Sequence, residues 1–170
     1  DIGPGVTKVK KGDRVVISWI RGSGMQAEGP VYHDQKISIN AGSVATFATR
    51  AIISENRCVV LERQIPSDVA SLLGCAVPTG AGIVMNEMKP KRGNSIIVWG
   101  VGGIGLAAIS GAVICGCDPI VAIDLFEEKL NLAKDFGASH TFASEEVGLD
   151  EILFDLTGGM GFDFAVEAAG

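Results

Sequence analysis

Ile96-Ile97-Val98-Trp99-Gly100-Val101-Gly102-Gly103-Ile104-Gly105-Leu106-Ala107-Ala108 is the stretch on which the reading of this chain turns. Its first four residues are apolar and mostly β-branched, which suits a short buried strand. They run into Gly100-x-Gly102-x-x-Gly105, and the apolar residues from Ile104 to Cys115 read as a buried helix. In a chain with 23 glycines such a match is weak by itself. Its place between a strand and a helix supplies the mechanism. Gly100 permits a tight turn, Gly102 lets the backbone approach a diphosphate, and Gly105 lets the helix pack closely on the strand. The amides around Gly103 and Ile104 then face the phosphates at the positive end of the helix dipole.

The next strand, Ile120 to Ile123, leads to Asp124, 19 residues beyond Gly105. A carboxylate at that strand end accepts both ribose hydroxyls of an adenosine and repels a 2′-phosphate. Leu125, Phe126 and Glu127 follow, with no Arg to hold such a phosphate. The residues therefore favour NAD over NADP. The plainer alternative makes Asp124 a solvated strand end and the glycines packing devices.

Strand and helix keep alternating downstream. Glu127 to Phe136 reads as an amphipathic helix with Leu130, Ala133 and Phe136 on one side, stopped by Gly137. His140 to Phe142 reads as a strand, Val147 to Leu156 as a helix and Phe162 to Val166 as a strand. This order predicts an α/β fold with a doubly wound parallel sheet and right-handed crossovers, the first part of a Rossmann domain. Upstream the chain is β-rich. A turn at Gly12-Asp13 precedes a strand over Arg14 to Ile20, and residues 21–43 read as a loop with a short strand near Lys36 to Ile39. Val44 to Ile53 and Cys58 to Leu61 are again strand-like. Pro66-Ser67-Asp68 reads as a helix start capped by Ser67 or Asp68, and a second helix from about Thr79 to Met88 stops before Pro90.

Bulk properties agree with this reading. Hydrophobic residues make up 47% of the 170, and strands buried on both faces call for such an excess. A net charge of -6 without a basic stripe excludes a nucleic-acid surface. Ser95 to Cys117 carries no charge and is long enough to span a bilayer, but six glycines would break the spanning helix, so no membrane is expected. Cys58, Cys75, Cys115 and Cys117 form neither a C-x-x-C pair nor a disulfide framework, which fits reduced thiols and a cytoplasmic location. With no Met or leader at Asp1, and an apolar run just before Gly170, both ends read as cuts through a longer protein.

The segments GVTKVKKGDRVV (5–16), LLGCAVPTGAG (72–82), SIIVWGVGGIGLAAISGAVICGC (95–117), IVAIDLFEEKLNLAKDFGASH (120–140) and FDFAVEAAG (162–170) carry a broader likeness. From Gly5 to Gly170 the chain resembles the zinc-type medium-chain alcohol dehydrogenases. The resemblance implies that residues 1–76 are the later part of a GroES-like catalytic domain, and residues 77–170 the first half of an NAD-binding Rossmann domain. It implies that Cys75 is the third ligand of a catalytic zinc, that Thr79 in a T-G turn contacts the nicotinamide, and that Lys129 helps hold the adenosine ribose. Such a metal polarises a carbonyl or stabilises the alkoxide from which hydride leaves. The plainer readings are a buried apolar thiol for Cys75 and a solvated helix lysine for Lys129.

Two departures qualify the resemblance. The family's other catalytic ligands would lie upstream of Asp1, so the chain as it stands is expected to be inactive and metal-free. Residues 21–53 contain no cysteine, so no structural zinc is expected. The whole protein is expected to be a homo-oligomer that transfers hydride between NAD and a small-molecule alcohol, aldehyde or ketone. The rivals are a zinc-free quinone or enoyl reductase, against which Cys75 and Asp124 both speak, and a non-catalytic nucleotide-binding protein. Cys115, Cys117, His33, His140, Trp19 and Trp99 read as packing or idle residues.

Overall fold

The computed structural model describes every residue except Ala41 and Arg63. It divides into two compact units, Asp1–Cys75 and Ala76–Gly170.

In the first unit β1 (Val15–Ile17) pairs antiparallel with β4 (Cys58–Val60), Val16 facing Val59. β2 (Val31–Asp34) and β3 (Ile37–Asn40) form an antiparallel hairpin. The sequence suggests a single strand near 36–39, whereas Gln35 takes a left-handed turn conformation, φ 50°, and folds Val31–Asp34 back as a second. Residues 44–53 run as bends and coil instead of a strand. Their β-branched side chains lack a ladder, and strand propensity counts only where a partner strand is present. The helix α1 (Ser67–Leu72) begins where Pro66 predicts, but Ser67 does not cap it. Its hydroxyl instead accepts from the Arg14 guanidinium at 2.9 Å, while Asp68 Oδ1 accepts the Val69 amide at 2.9 Å.

A buried carboxylate ties this unit together. Glu55 Oε1 accepts the amides of Thr7 at 2.7 Å and Lys8 at 2.5 Å, and Oε2 accepts the amide of Met25 at 2.7 Å. Donation by Met25, then Lys8 and Thr7, outweighs the opposing effect of burial and holds the carboxyl down to about 2.

The second unit opens with α2 (Ala76–Gly82), which continues as a π-helical turn over Ile83–Met88 and stops at Lys89, φ 50°, just before Pro90. Then come β5 (Ile96–Trp99), α3 (Gly103–Cys115), β6 (Ile120–Asp124), α4 (Glu127–Asp135), β7 (His140–Ala143), α5 (Leu149–Leu156) and β8 (Phe164–Glu167). The four strands form one parallel sheet in the order β7-β6-β5-β8, with Val98 level with Ala122 on one side and Val166 on the other.

Alternate strand residues supply two cores. Ile96, Val98, Ile120, Ala122 and Val166 pack with Ala108, Ile109 and Ala112 of α3 and Leu130 and Ala133 of α4. Ile97, Val121 and Ile123 turn to the opposite face and meet Leu149 and Leu153 of α5. Both faces are thus covered, which is why these strands are apolar without alternation. β6 and β8 flank β5 on opposite sides, so the strand order reverses at β5. Sheets of this kind bind ligands outside the carboxyl ends of the strands at that reversal. Among the described residues no helix is long and apolar enough to cross a membrane.

Candidate nucleotide-binding site

The glycine turn lies at the carboxyl end of β5. Gly100 has φ 88°, and its amide donates to the Ile123 carbonyl at 2.8 Å, which pins the turn to β6. A Cβ on Gly100 would stand 2.5 Å from the Ala169 nitrogen and 2.6 Å from the Ala168 carbonyl carbon, so no side chain fits. A Cβ on Gly105 would strike the Gly100 carbonyl oxygen, the close helix-to-strand approach expected of that position.

Gly102 and Gly103 differ from these two. A Cβ added to either meets nothing within 4 Å. Gly102 is extended (φ -85°, ψ -168°) and caps α3, its carbonyl accepting the Leu106 amide at 2.9 Å. Gly103 and Ile104 are the first residues of this 13-residue helix, so their amides have no acceptor inside it. Bare backbone at a helix N-terminus therefore faces open space, an arrangement suited to an anion.

Asp124, the last residue of β6, has only 8% of its surface exposed and is turned to this turn. Its Oδ2 accepts the Val101 amide at 2.7 Å, and its Oδ1 accepts the Phe126 amide at 3.1 Å. Burial alone would raise this carboxyl. The amides of Val101 and Phe126, the Lys129 charge and the Leu125 amide together outweigh burial and hold it below the ordinary carboxylate value. Asp124 is accordingly a carboxylate at neutral pH. Lys129 Nζ, on α4, lies 3.6 Å from Oδ2 and 4.9 Å from the centroid of the Phe126 ring. The structure thus brings Gly100, Gly102, Gly103, Ile104, Gly105, Asp124 and Lys129 to one edge of the sheet. Sequence reasoning missed the Val101 amide, since a main-chain donor has no residue signature. It also missed Phe126, whose signal is an aromatic three residues before a lysine on one helix start.

The family model for zinc-binding dehydrogenases matches residues 103–170. The NDMA-dependent alcohol dehydrogenase of Amycolatopsis methanolica is 32% identical over an alignment 194 positions long, gaps included, covering 100% of this chain and 52% of that protein. The benzyl alcohol dehydrogenase of Acinetobacter calcoaceticus superposes with a TM-score of 0.80 at 30% identity, covering 100% of this chain and 52% of the other. An alcohol dehydrogenase zinc-binding domain protein of Burkholderia ambifaria gives 0.82 at 29% identity, over 99% and 52%. The chain is similar to zinc-binding dehydrogenases over residues 103–170 and to alcohol dehydrogenases along its whole length. It spans about half the length of the relatives it matches.

Cys75 is exposed and lines an apolar groove of the first unit with Val16, Ile17, Trp19 and Gly74. Among the described residues no group of three or more His, Cys, Asp or Glu could hold a metal ion. A zinc site takes three or four protein ligands, so Cys75 by itself does not fit one. Thr79 is exposed and lies within α2, not in a turn. The cause is its neighbour. A Cβ on Gly80 would strike the Ile104 carbonyl oxygen and stand 2.7 Å from the Ala107 Cβ, so Gly80 serves helix-to-helix contact between α2 and α3. The turn at the T-G pair is implied by the resemblance alone; in the structure the pair is helical, within the segment where the residues themselves suggest a helix from about Thr79.

Proposed function

We propose that this chain contributes the adenosine side of an NAD site to an oxidoreductase that moves hydride between an alcohol and an aldehyde or ketone. The observation that carries the reading is the Asp124 carboxylate at the mouth of a bare glycine turn, 2.7 Å from the Val101 amide. In this reading the amides of Gly103 and Ile104 hold the diphosphate, and Gly102 leaves room for it. Asp124 accepts the ribose hydroxyls and repels a 2′-phosphate. Lys129 lends a cation beside the ribose, and Thr79 contacts the nicotinamide. When bound, NAD supplies the hydride acceptor. The names of the relatives support alcohol chemistry, and the first unit is proposed to belong to a GroES-like catalytic domain. Cys75 is the one residue proposed as a zinc donor, and a single thiolate does not make a metal site.

Calorimetric titration of the chain with NAD and with NADP tests this reading. NAD should bind the more tightly. Preference for NADP removes the role given to Asp124, and absence of binding by either overturns the nucleotide reading.

A further inference from the structure

Phe126 has no part in the reading above, although it touches two residues that do. Its amide donates to Asp124 Oδ1, and its ring lies under the Lys129 ammonium. It is more than half exposed, so burial does not account for an aromatic ring here. A partly exposed lysine held by one carboxylate at 3.6 Å is weakly fixed and exchanges readily with water. The face of a ring attracts the same cation through its quadrupole. Ring and carboxylate therefore bracket the ammonium from two sides.

The bracket matters because Asp124 is crowded. Oδ2 accepts from Val101 and faces Lys129, and Oδ1 accepts from Phe126. A ribose hydroxyl that donates to this carboxylate competes with Lys129 more easily than with the two main-chain amides. Without a second hold, the displaced ammonium would swing into solvent and be lost to the site.

We propose that Phe126 is a positioning residue, whose ring retains the Lys129 ammonium beside the site when the Asp124 carboxylate passes to a ribose. The inference rests on the nucleotide reading given above. Phe126→Leu keeps an apolar side chain and removes the ring face, and Phe126→Tyr keeps the face.

Titration of each variant with ADP-ribose, which is NAD without its nicotinamide, reads the effect. Phe126→Leu should weaken binding about two- to five-fold, the range an exposed cation–π contact carries. Phe126→Tyr should bind as the unaltered chain does. In a Lys129→Met background the Leu substitution should have no further effect. Unchanged affinity in Phe126→Leu overturns the proposal, as does an equal loss with and without Lys129, which would put the ring on the ligand itself. If the unaltered chain binds neither ADP-ribose nor NAD, the nucleotide reading fails and this inference falls with it. Binding by the unaltered chain with no loss in Phe126→Leu sinks this inference alone.

Discussion

Asp124 Oδ2 accepts the Val101 amide at 2.7 Å, joining the end of β6 to the glycine turn that follows β5. One carboxylate thereby shapes the turn and faces the space in front of it. Its two roles separate under substitution. Asp124→Asn keeps an acceptor for Val101 but loses the charge. A hydrogen bond to a charged group contributes about 1.5–3 kcal/mol, so NAD affinity should fall roughly 10- to 100-fold, and discrimination against NADP should shrink. Asp124→Ala also leaves the Val101 and Phe126 amides without their acceptor, and urea unfolding should show a further loss of about 1–3 kcal/mol. An Asn variant that binds NAD as well as the unaltered chain would remove the charge from the argument.

Gly100 and Gly102 should respond in opposite ways to a methyl group. Gly100→Ala combines a positive φ with a Cβ 2.5 Å from a backbone nitrogen, and should destabilise the second unit by about 1–3 kcal/mol. Gly102→Ala suffers neither penalty, because its backbone is extended and its Cβ meets nothing within 4 Å. It should unfold at nearly the same urea concentration as the unaltered chain while losing NAD affinity, since the methyl fills the approach to the diphosphate. Parallel unfolding curves and titrations check both outcomes.

The contrast between these glycines shows what the sequence holds and what it leaves out. The stretch from Ile96 to Asp135 is legible almost to the residue because apolar strands, the glycine fingerprint and an amphipathic helix agree with one another. The hairpin of β2 and β3 was half seen, since β2, the strand not read from the sequence, is exposed except at Tyr32 and shows little contrast between its faces. Val44 to Ile53 misled by composition, because among the described residues no partner strand receives it. The positions of the glycines were visible, but not which of them face backbone and which face space. Asp124 was visible as an acid after a strand, while its main-chain partners are a property of the fold.

Stability of the first unit should depend on pH through Glu55. Its carboxyl is held at about 2 in the folded chain against an ordinary 4.5. A depressed folded value contributes stability that is complete above about 4.5 and is lost as pH falls from there through about 2. Trp19 fluorescence in a Trp99→Phe background follows this unit alone. The melting temperature should drop across that window, and Glu55→Gln, with one acceptor oxygen for three amides, should melt lower at pH 7 and respond less to acid. Equal acid sensitivity in both would detach Glu55 from the transition.

Gly80 sets helix propensity against packing, and the magnitudes decide the sign. Replacing a mid-helix glycine by alanine ordinarily stabilises by about 0.5–1 kcal/mol. At Gly80 the new methyl would meet the Ile104 carbonyl oxygen, the Ala107 Cβ at 2.7 Å and the Ala108 nitrogen at 2.9 Å. Two of these atoms are backbone and cannot turn aside, so α2 must lift from α3, at the 1–3 kcal/mol typical of overpacking. Packing therefore wins, and Gly80→Ala should destabilise. Gly82 is the control: it is helical in the same segment, and its Cβ would find the Asn86 amide nitrogen at an ordinary 3.6 Å. Gly82→Ala should raise stability by about 0.5–1 kcal/mol. Urea unfolding followed by far-ultraviolet circular dichroism reads both variants, and a stabilised Gly80→Ala would refute the close approach of the two helices.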